Sequence, residues 1–222
     1  MGNSNIYHCK CTGCGMEADV PAYPSVNASK EPLLRNRLLD GSLMRWTCPS
    51  CGKVHYLDYP LLYHDPVNKF MIWHFPAGQE EDRIDAYGKQ VAGLLPDYTC
   101  RRVDNVLRLA EKIQIFEQGA SDVAVELSEY VFRQEAAARA NDDEEKRQVF
   151  SNNIFCHGLR FEDGRCAEFR ISVVDDDGNH SYYDISPAIY SDCDAIVRRN
   201  PALDPGKGFV TVDYQWLKTK IR

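Results

Sequence analysis

Two short cysteine pairs constrain this chain more than any other feature. They are Cys11-Thr12-Gly13-Cys14-Gly15 and Cys48-Pro49-Ser50-Cys51-Gly52, with 33 residues between the inner cysteines. In a C-x-x-C-G turn both thiolates point at one ion, backbone N–H groups donate to the sulfurs, and the glycine supplies the positive φ that the tight turn needs. Two such turns supply four thiolates, the donor set of a closed tetrahedral site with no position left for water or substrate. Cys11, Cys14, Cys48 and Cys51 are therefore the expected ligands of a structural Zn2+. Four thiolates also suit iron, and spacing does not separate the two metals. A thioredoxin-like redox pair needs only one motif and leaves the second unexplained.

The nine cysteines, an odd number without a framework, fit a reducing compartment in which thiols stay available to metal. Of the other five, Cys9, Cys100, Cys156, Cys166 and Cys193, only Cys9 lies close enough to a pair to compete as a ligand. The start of the chain has no basic segment followed by an apolar one, and no run approaches the ~18 apolar residues of a membrane span. The expectation is a soluble, cytoplasmic protein with no membrane partner. The formal charge of −7 is spread evenly, −2 over residues 1–100, −3 over 101–150 and −2 over 151–222. No segment is a basic module, which disfavours the phosphate neutralisation that nonspecific nucleic-acid binding needs. Arg35, Arg37 and Arg45 form the one locally basic region; a solvated helix face is the plainer reading, and nucleic-acid contact the alternative.

The patterning predicts an α+β chain. Strands over 5–11 and 16–26 flank the first cysteine pair. Ser29 is expected to cap a short amphipathic helix that starts at Pro32, inserted between the pairs. Strands over 42–47 and 53–63 flank the second pair, Phe70-Met71-Ile72-Trp73-His74-Phe75 returns as a core strand, and all are expected to join one antiparallel, zinc-ribbon-like sheet. A helix over 79–94, a strand near 98–103 and an αα-hairpin follow, its helices capped by Asp104 and Ser121, with the hairpin covering the sheet. The charged run Asn141 to Arg147 reads as a linker, 141–149, between a metal-binding domain over 1–140 and a small α+β unit over 150–222. That unit is predicted to hold a three-stranded meander turning at Asp163-Gly164 and at Asp175 to Asn179, then a helix from Pro187, a short strand over 209–212 and a terminal helix.

Leu38-Leu39-Asp40-Gly41-Ser42-Leu43, Cys48-Pro49-Ser50-Cys51-Gly52, Tyr59-Pro60-Leu61-Leu62-Tyr63-His64-Asp65 and Phe70-Met71-Ile72-Trp73 together resemble the CpXC-domain family of bacterial and archaeal proteins, named for two Cys-Pro-x-Cys motifs. The resemblance continues through Glu111 to Gly119 and covers residues from about 8 to 133. Thr12 stands where the family's proline is usual, but proline is not a ligand. The resemblance implies a zinc-binding domain without an established activity.

Other constellations fail on spacing or geometry. Asp175-Asp176-Asp177-Gly178-Asn179 does not align with a calcium loop, because Val173 would take its first ligand position. Gly206-Lys207-Gly208 lacks the flanks of a phosphate loop. Cys156 and His157 are strand neighbours that point to opposite faces, so they make no nucleophile–base couple. Glu111 with Glu117, and Asp142 with Glu145, read as helix-surface acids. His8 and His55 lie near the cysteine pairs as candidate sulfur contacts, with sheet-surface residues the plainer reading. The leading expectation is a non-enzymatic, zinc-stabilised binding or adaptor protein of the bacterial cytosol. Its protein partner would meet exposed aromatics, for which Tyr182, Tyr183, Tyr190 and Trp216 are the candidates, although core packing explains these four equally well. The alternatives are a nucleic-acid-associated zinc-ribbon protein and an enzyme with a site between the two units.

Overall fold

A computed structural model describes residues 4–76 and 81–221. The chain is mixed α+β, with seven α-helices among the described residues. It divides into two compact units, Met1–Ala110 with Lys207–Val210, and Glu111–Gly206 with Thr211–Arg222.

In the first unit, β1 (Asn5–Lys10) and β2 (Glu17–Ala22) form an antiparallel hairpin across the first cysteine pair, with Lys10 opposite Glu17 at its end. The predicted strand over 16–26 breaks at Tyr23-Pro24. Proline has no N–H for a ladder, and β3 (Ser25–Asn27) leaves the hairpin for another sheet. Helix α1 (Pro32–Leu39) begins with proline in its first turn as expected, but Ser29 is not its cap. The Asn27 side chain instead accepts from Ser29 and Lys30 N–H, and the Glu31 carboxylate accepts from Asn27 N–H at 2.9 Å. Leu33 is exposed, so this helix buries little beyond Leu38.

A second hairpin pairs β4 (Arg45–Thr47) with β5 (Val54–Tyr56) across the second cysteine pair. β6 (Leu61–Asp65) and β7 (Phe70–His74) then join β3 and β8 (Thr99–Val103) in a four-stranded sheet of order β3-β6-β7-β8. The single antiparallel sheet predicted from the pattern is thus three separate sheets. The four-stranded one is mixed, since β3–β6 and β7–β8 run parallel and only β6–β7 is antiparallel. Its strands carry apolar residues on both faces, as a doubly covered sheet requires. Val26, Leu61, Tyr63, Phe70 and Ile72 are buried. Met71 and Cys100 pack with Val91 of α2 (Glu81–Leu94) and with Phe209. The predicted start of that helix at Gln79 lies outside the described residues. Gly88 has a reason to be glycine, because a Cβ there would stand 3.1 Å from the Phe209 backbone nitrogen. The predicted strand over 209–212 is reduced to one bridge, Arg101 with Val210.

Helix α3 (Val106–Glu117) is capped by Asn105, whose side chain accepts from Arg108 N–H, and not by Asp104. It ends at Gly119 with φ +67°. Within the second unit, Ser121 caps α4 (Asp122–Arg139) by accepting from Ala124 N–H, as predicted. The stretch read as a linker is helix α5 (Asp143–Ser151). Asp142 accepts from Glu145 N–H while Glu145 accepts from Asn141 N–H, a reciprocal cap that starts a helix without an apolar stripe. β9 (Asn153–Glu162), β10 (Arg165–Val174) and β11 (His180–Asp184) form the predicted meander. Its first turn uses positive φ at both Asp163 and Gly164. In the second, Asp175 accepts from Asp177 and Asn179 N–H. Helices α6 (Pro187–Arg199) and α7 (Tyr214–Lys220) complete the unit, and both pack on α4.

Two buried residues of this unit decide readings left open or made otherwise from the sequence. Tyr190, a candidate for either a partner surface or the core, is 4% exposed, packs on Phe161 and Phe169, and accepts from Ser121 N–H at 3.1 Å, which places it in the core. Burial pushes its phenol up to about 12. Glu111, read as a surface acid, is 4% exposed and accepts from Cys156 N–H at 2.6 Å.

Candidate metal centre

The two hairpins bring the Sγ atoms of Cys11, Cys14, Cys48 and Cys51 within 4.8 Å of one another. Each turn is built by the same pair of backbone bonds. Cys11 N–H donates to Met16 C=O at 2.8 Å and Gly15 N–H to Cys11 C=O at 2.8 Å; Cys48 N–H donates to Lys53 C=O and Gly52 N–H to Cys48 C=O, both at 2.9 Å. The closing glycines take φ +75° and +73°, the left-handed region that a side chain resists. Gly15→Ala and Gly52→Ala should therefore each cost about 1 kcal/mol, read as a lower melting temperature of the metal-loaded chain. Gly13 serves differently. Its N–H donates to Cys11 Sγ at 3.3 Å, and a Cβ there would lie 3.4 Å from Cys51 Sγ and 3.6 Å from Cys11 Sγ.

The sulfur spacing fits an ion better than it fits disulfides. Cys11 and Cys51 stand 3.5 Å apart, Cys14 and Cys48 3.6 Å. Sulfurs bound at about 2.3 Å around one tetrahedral ion stand about 3.8 Å apart, whereas a disulfide needs about 2.05 Å. All nine cysteines are free thiols. The first cysteine of each pair is sheltered, Cys11 at 2% and Cys48 at 1% exposed, while the second, Cys14 and Cys51, reaches the surface.

Electrostatics inside the cluster favours a bound cation. Burial works against the Cys11 thiolate, but the N–H groups of Cys14 and Gly13, with His55 and Cys51, outweigh it and hold this thiol down to about 5. The Met16 N–H likewise lowers Cys14. The Lys53 N–H favours a thiolate at Cys51, yet the neighbouring Cys11 and Cys14 sulfurs push it up to about 12. Four thiolates at this spacing repel one another, and a divalent ion is what makes all four compatible. In metal-free protein near neutral pH, iodoacetamide should alkylate Cys14 first, because it is both exposed and lowered, and Cys51 should lag behind it. Peptide mass spectrometry reads the order; Cys51 leading Cys14 would contradict these charges.

Of the two histidines near the pairs, only His55 meets the sulfurs. Its Nε2 lies 3.3 Å from Cys11 Sγ, a contact given less weight in the sequence than a sheet-surface position. The signal was the hairpin register, which sets His55 across from Trp46 at the base of the second turn. His8 instead contacts the Asp19 carboxylate at 2.5 Å on the exposed first hairpin. Cys9 is buried outside the cluster, and burial raises its thiol.

The arginines of the basic region spread over α1 and β4. Arg37 and Arg45 are exposed and Arg35 is half-buried. Arg35 donates to Asn36 Oδ1 and Arg37 to Ser42 C=O. Asp40 stands among them, its carboxyl held below the usual range chiefly by Ser42 and further by Arg45 and Arg37. In the second unit Cys156 is buried and its thiol raised by burial, while His157 is exposed; the β9–β10 register shifts here, pairing Cys156 with Ile171 and Gly158 with Arg170, so His157 is left unpaired in the ladder and burial, not regular strand alternation, sets the two apart. Among the described residues no helix is long and apolar enough to cross a membrane.

The sequence model of one family, described as CpXC protein, matches residues 9–129, more than half of the chain and both cysteine pairs. No curated protein matches the chain. No solved structure matches it either.

Proposed function

The chain belongs to the CpXC family, and from that premise we propose that it is a non-enzymatic binding or adaptor protein, cytoplasmic, whose first unit is held by a structural Zn2+ on Cys11, Cys14, Cys48 and Cys51. The observation that carries this reading is the closed four-sulfur cluster. A tetrahedral ion there spends all its positions on protein sulfur, which leaves it no open site for substrate or water. It staples the β1–β2 turn to the β4–β5 turn, and its task is to hold both hairpins in one arrangement. Zinc is favoured over iron because a binding or adaptor role needs no redox-active ion.

Partner binding falls to surface that the core does not need. Tyr182 of β11 is 56% exposed and Tyr183 beside it 44%, whereas Tyr190 is in the core and Trp216 is half-buried with Lys220 over its ring. Two measurements test the reading. Elemental analysis of the purified chain should give one zinc per chain; iron or no metal contradicts the cofactor. Affinity capture with the full chain should retain one protein that the Tyr182→Ser variant loses. Retention of nucleic acid that weakens with salt, or turnover of a small molecule, contradicts the adaptor role.

A further inference from the structure

We propose that His55 is a positioning residue for the metal, donating its Nε2–H to the Cys11 sulfur so that this thiolate stays aimed at the ion and releases it slowly. The proposal rests on the metal reading above and assigns to that site a residue outside the four cysteines. Three observations carry it.

The first is distance: Nε2 stands 3.3 Å from Cys11 Sγ, within reach of an N–H···S bond. The second is orientation. His55 lies directly across the β4–β5 hairpin from Trp46, with ring centroids 5.1 Å apart and planes at 31°, so the indole backs the imidazole and fixes the direction of its edge. The third is exclusion from the ligand set. The ligand atoms that lie within 4.8 Å of one another are the four sulfurs alone, although histidine nitrogens qualify equally as donors to a metal. His55 therefore touches one ligand without sharing the cluster's centre.

The chemistry then fixes the tautomer. A metal-bound thiolate has lone pairs and no proton, so it only accepts, and the contact requires the proton on Nε2. Cys11 already accepts from Gly13 N–H at 3.3 Å, and the histidine adds a side-chain donor. Donors behind a ligand hold its orientation and charge, and losing one typically costs 10–100-fold in metal affinity.

The test uses the zinc-loaded full chain, with His55→Phe, which keeps a ring against Trp46 and removes the donor, and His55→Gln, whose amide N–H reaches a similar position. The rate of zinc transfer to an excess of a chromophoric chelator is measured for each, and the absorption spectrum of the cobalt(II)-substituted forms is recorded. His55→Phe is expected to lose zinc about tenfold faster or more, and His55→Gln to stay within about threefold of the unmodified chain. Cobalt should show a tetrahedral four-thiolate spectrum in all three, with the sulfur-to-metal charge-transfer band displaced in the phenylalanine form and restored by glutamine. Unchanged release and an undisplaced band in His55→Phe would mean that the ring only packs, and would overturn the proposal. Loss of the tetrahedral spectrum in that variant would make His55 a ligand and overturn it equally. Should the phenylalanine form not fold, His55→Asn, which draws the donor back from the sulfur, takes its place with the same expected outcomes. An unmodified chain that takes up neither zinc nor cobalt contradicts the metal reading itself and is told apart by that result.

Discussion

Replacing Cys11, Cys14, Cys48 or Cys51 by serine will lower metal content and stability together. Serine keeps the shape of the turn but exchanges a soft thiolate for a hydroxyl that stays protonated at neutral pH, so three ligands remain on an ion that binds four. An ion held at a hundredfold excess over its dissociation constant contributes about 2.7 kcal/mol, and a tightly held one more. The expected loss is therefore about 3 kcal/mol or greater, which at about 2–4 °C per kcal/mol lowers the melting temperature by roughly 6–12 °C. Elemental analysis and thermal unfolding of the same samples check it. The buried Cys11 and Cys48 should be at least as sensitive as the exposed Cys14 and Cys51, because water cannot easily fill the coordination position they leave. A variant with full metal and an unchanged transition would remove that cysteine from the ligand set, and buried Cys9 would be the first replacement to examine.

The second large effect lies in the second unit. Lys112 is 3% exposed, and its Nζ stands 3.0 Å from a carboxylate oxygen of Asp122, which is 2% exposed. Breaking a buried pair by removing one partner leaves a charge in a medium that solvates it poorly, at a cost of about 3–5 kcal/mol. Lys112→Met keeps the length and apolar stem of the side chain and should destabilise by about that amount in urea unfolding. The double change Lys112→Met with Asp122→Leu should cost clearly less than the single one, because the carboxylate that lost its lysine is removed with it. Equal costs for the single and double changes would show that volume, and not charge, matters at this position.

The sequence carried the site better than the sheets around it. Each C-x-x-C-G turn is determined within a few residues by backbone bonds that its own glycine permits, so local pattern sufficed. The Asp163-Gly164 hairpin and the Ser121 cap were legible for the same reason. The strand partition was not. Pairing β3 with β6 and β7 with β8 in parallel joins segments far apart in sequence, which no local periodicity encodes. The cap at Asn105, and the Asn27 turn that precedes α1 in place of a cap at Ser29, are not legible locally, because several polar residues compete before each helix and the outcome depends on the path of the preceding strand or loop. Glu111 reads as surface and Tyr190 as either surface or core from the sequence, because the backbone N–H that each accepts from comes from an element distant in the chain. His55 needed the hairpin register before its distance to Cys11 could be seen.

The most direct test of the metal centre is X-ray absorption at the zinc edge on the purified, zinc-loaded chain. The geometry of Cys11, Cys14, Cys48 and Cys51 predicts a single shell of four sulfurs at about 2.3 Å with no nitrogen or oxygen neighbour in the first shell. A shell that includes nitrogen or oxygen at about 2.0–2.2 Å, or fewer than four sulfurs, would contradict a closed four-cysteine site.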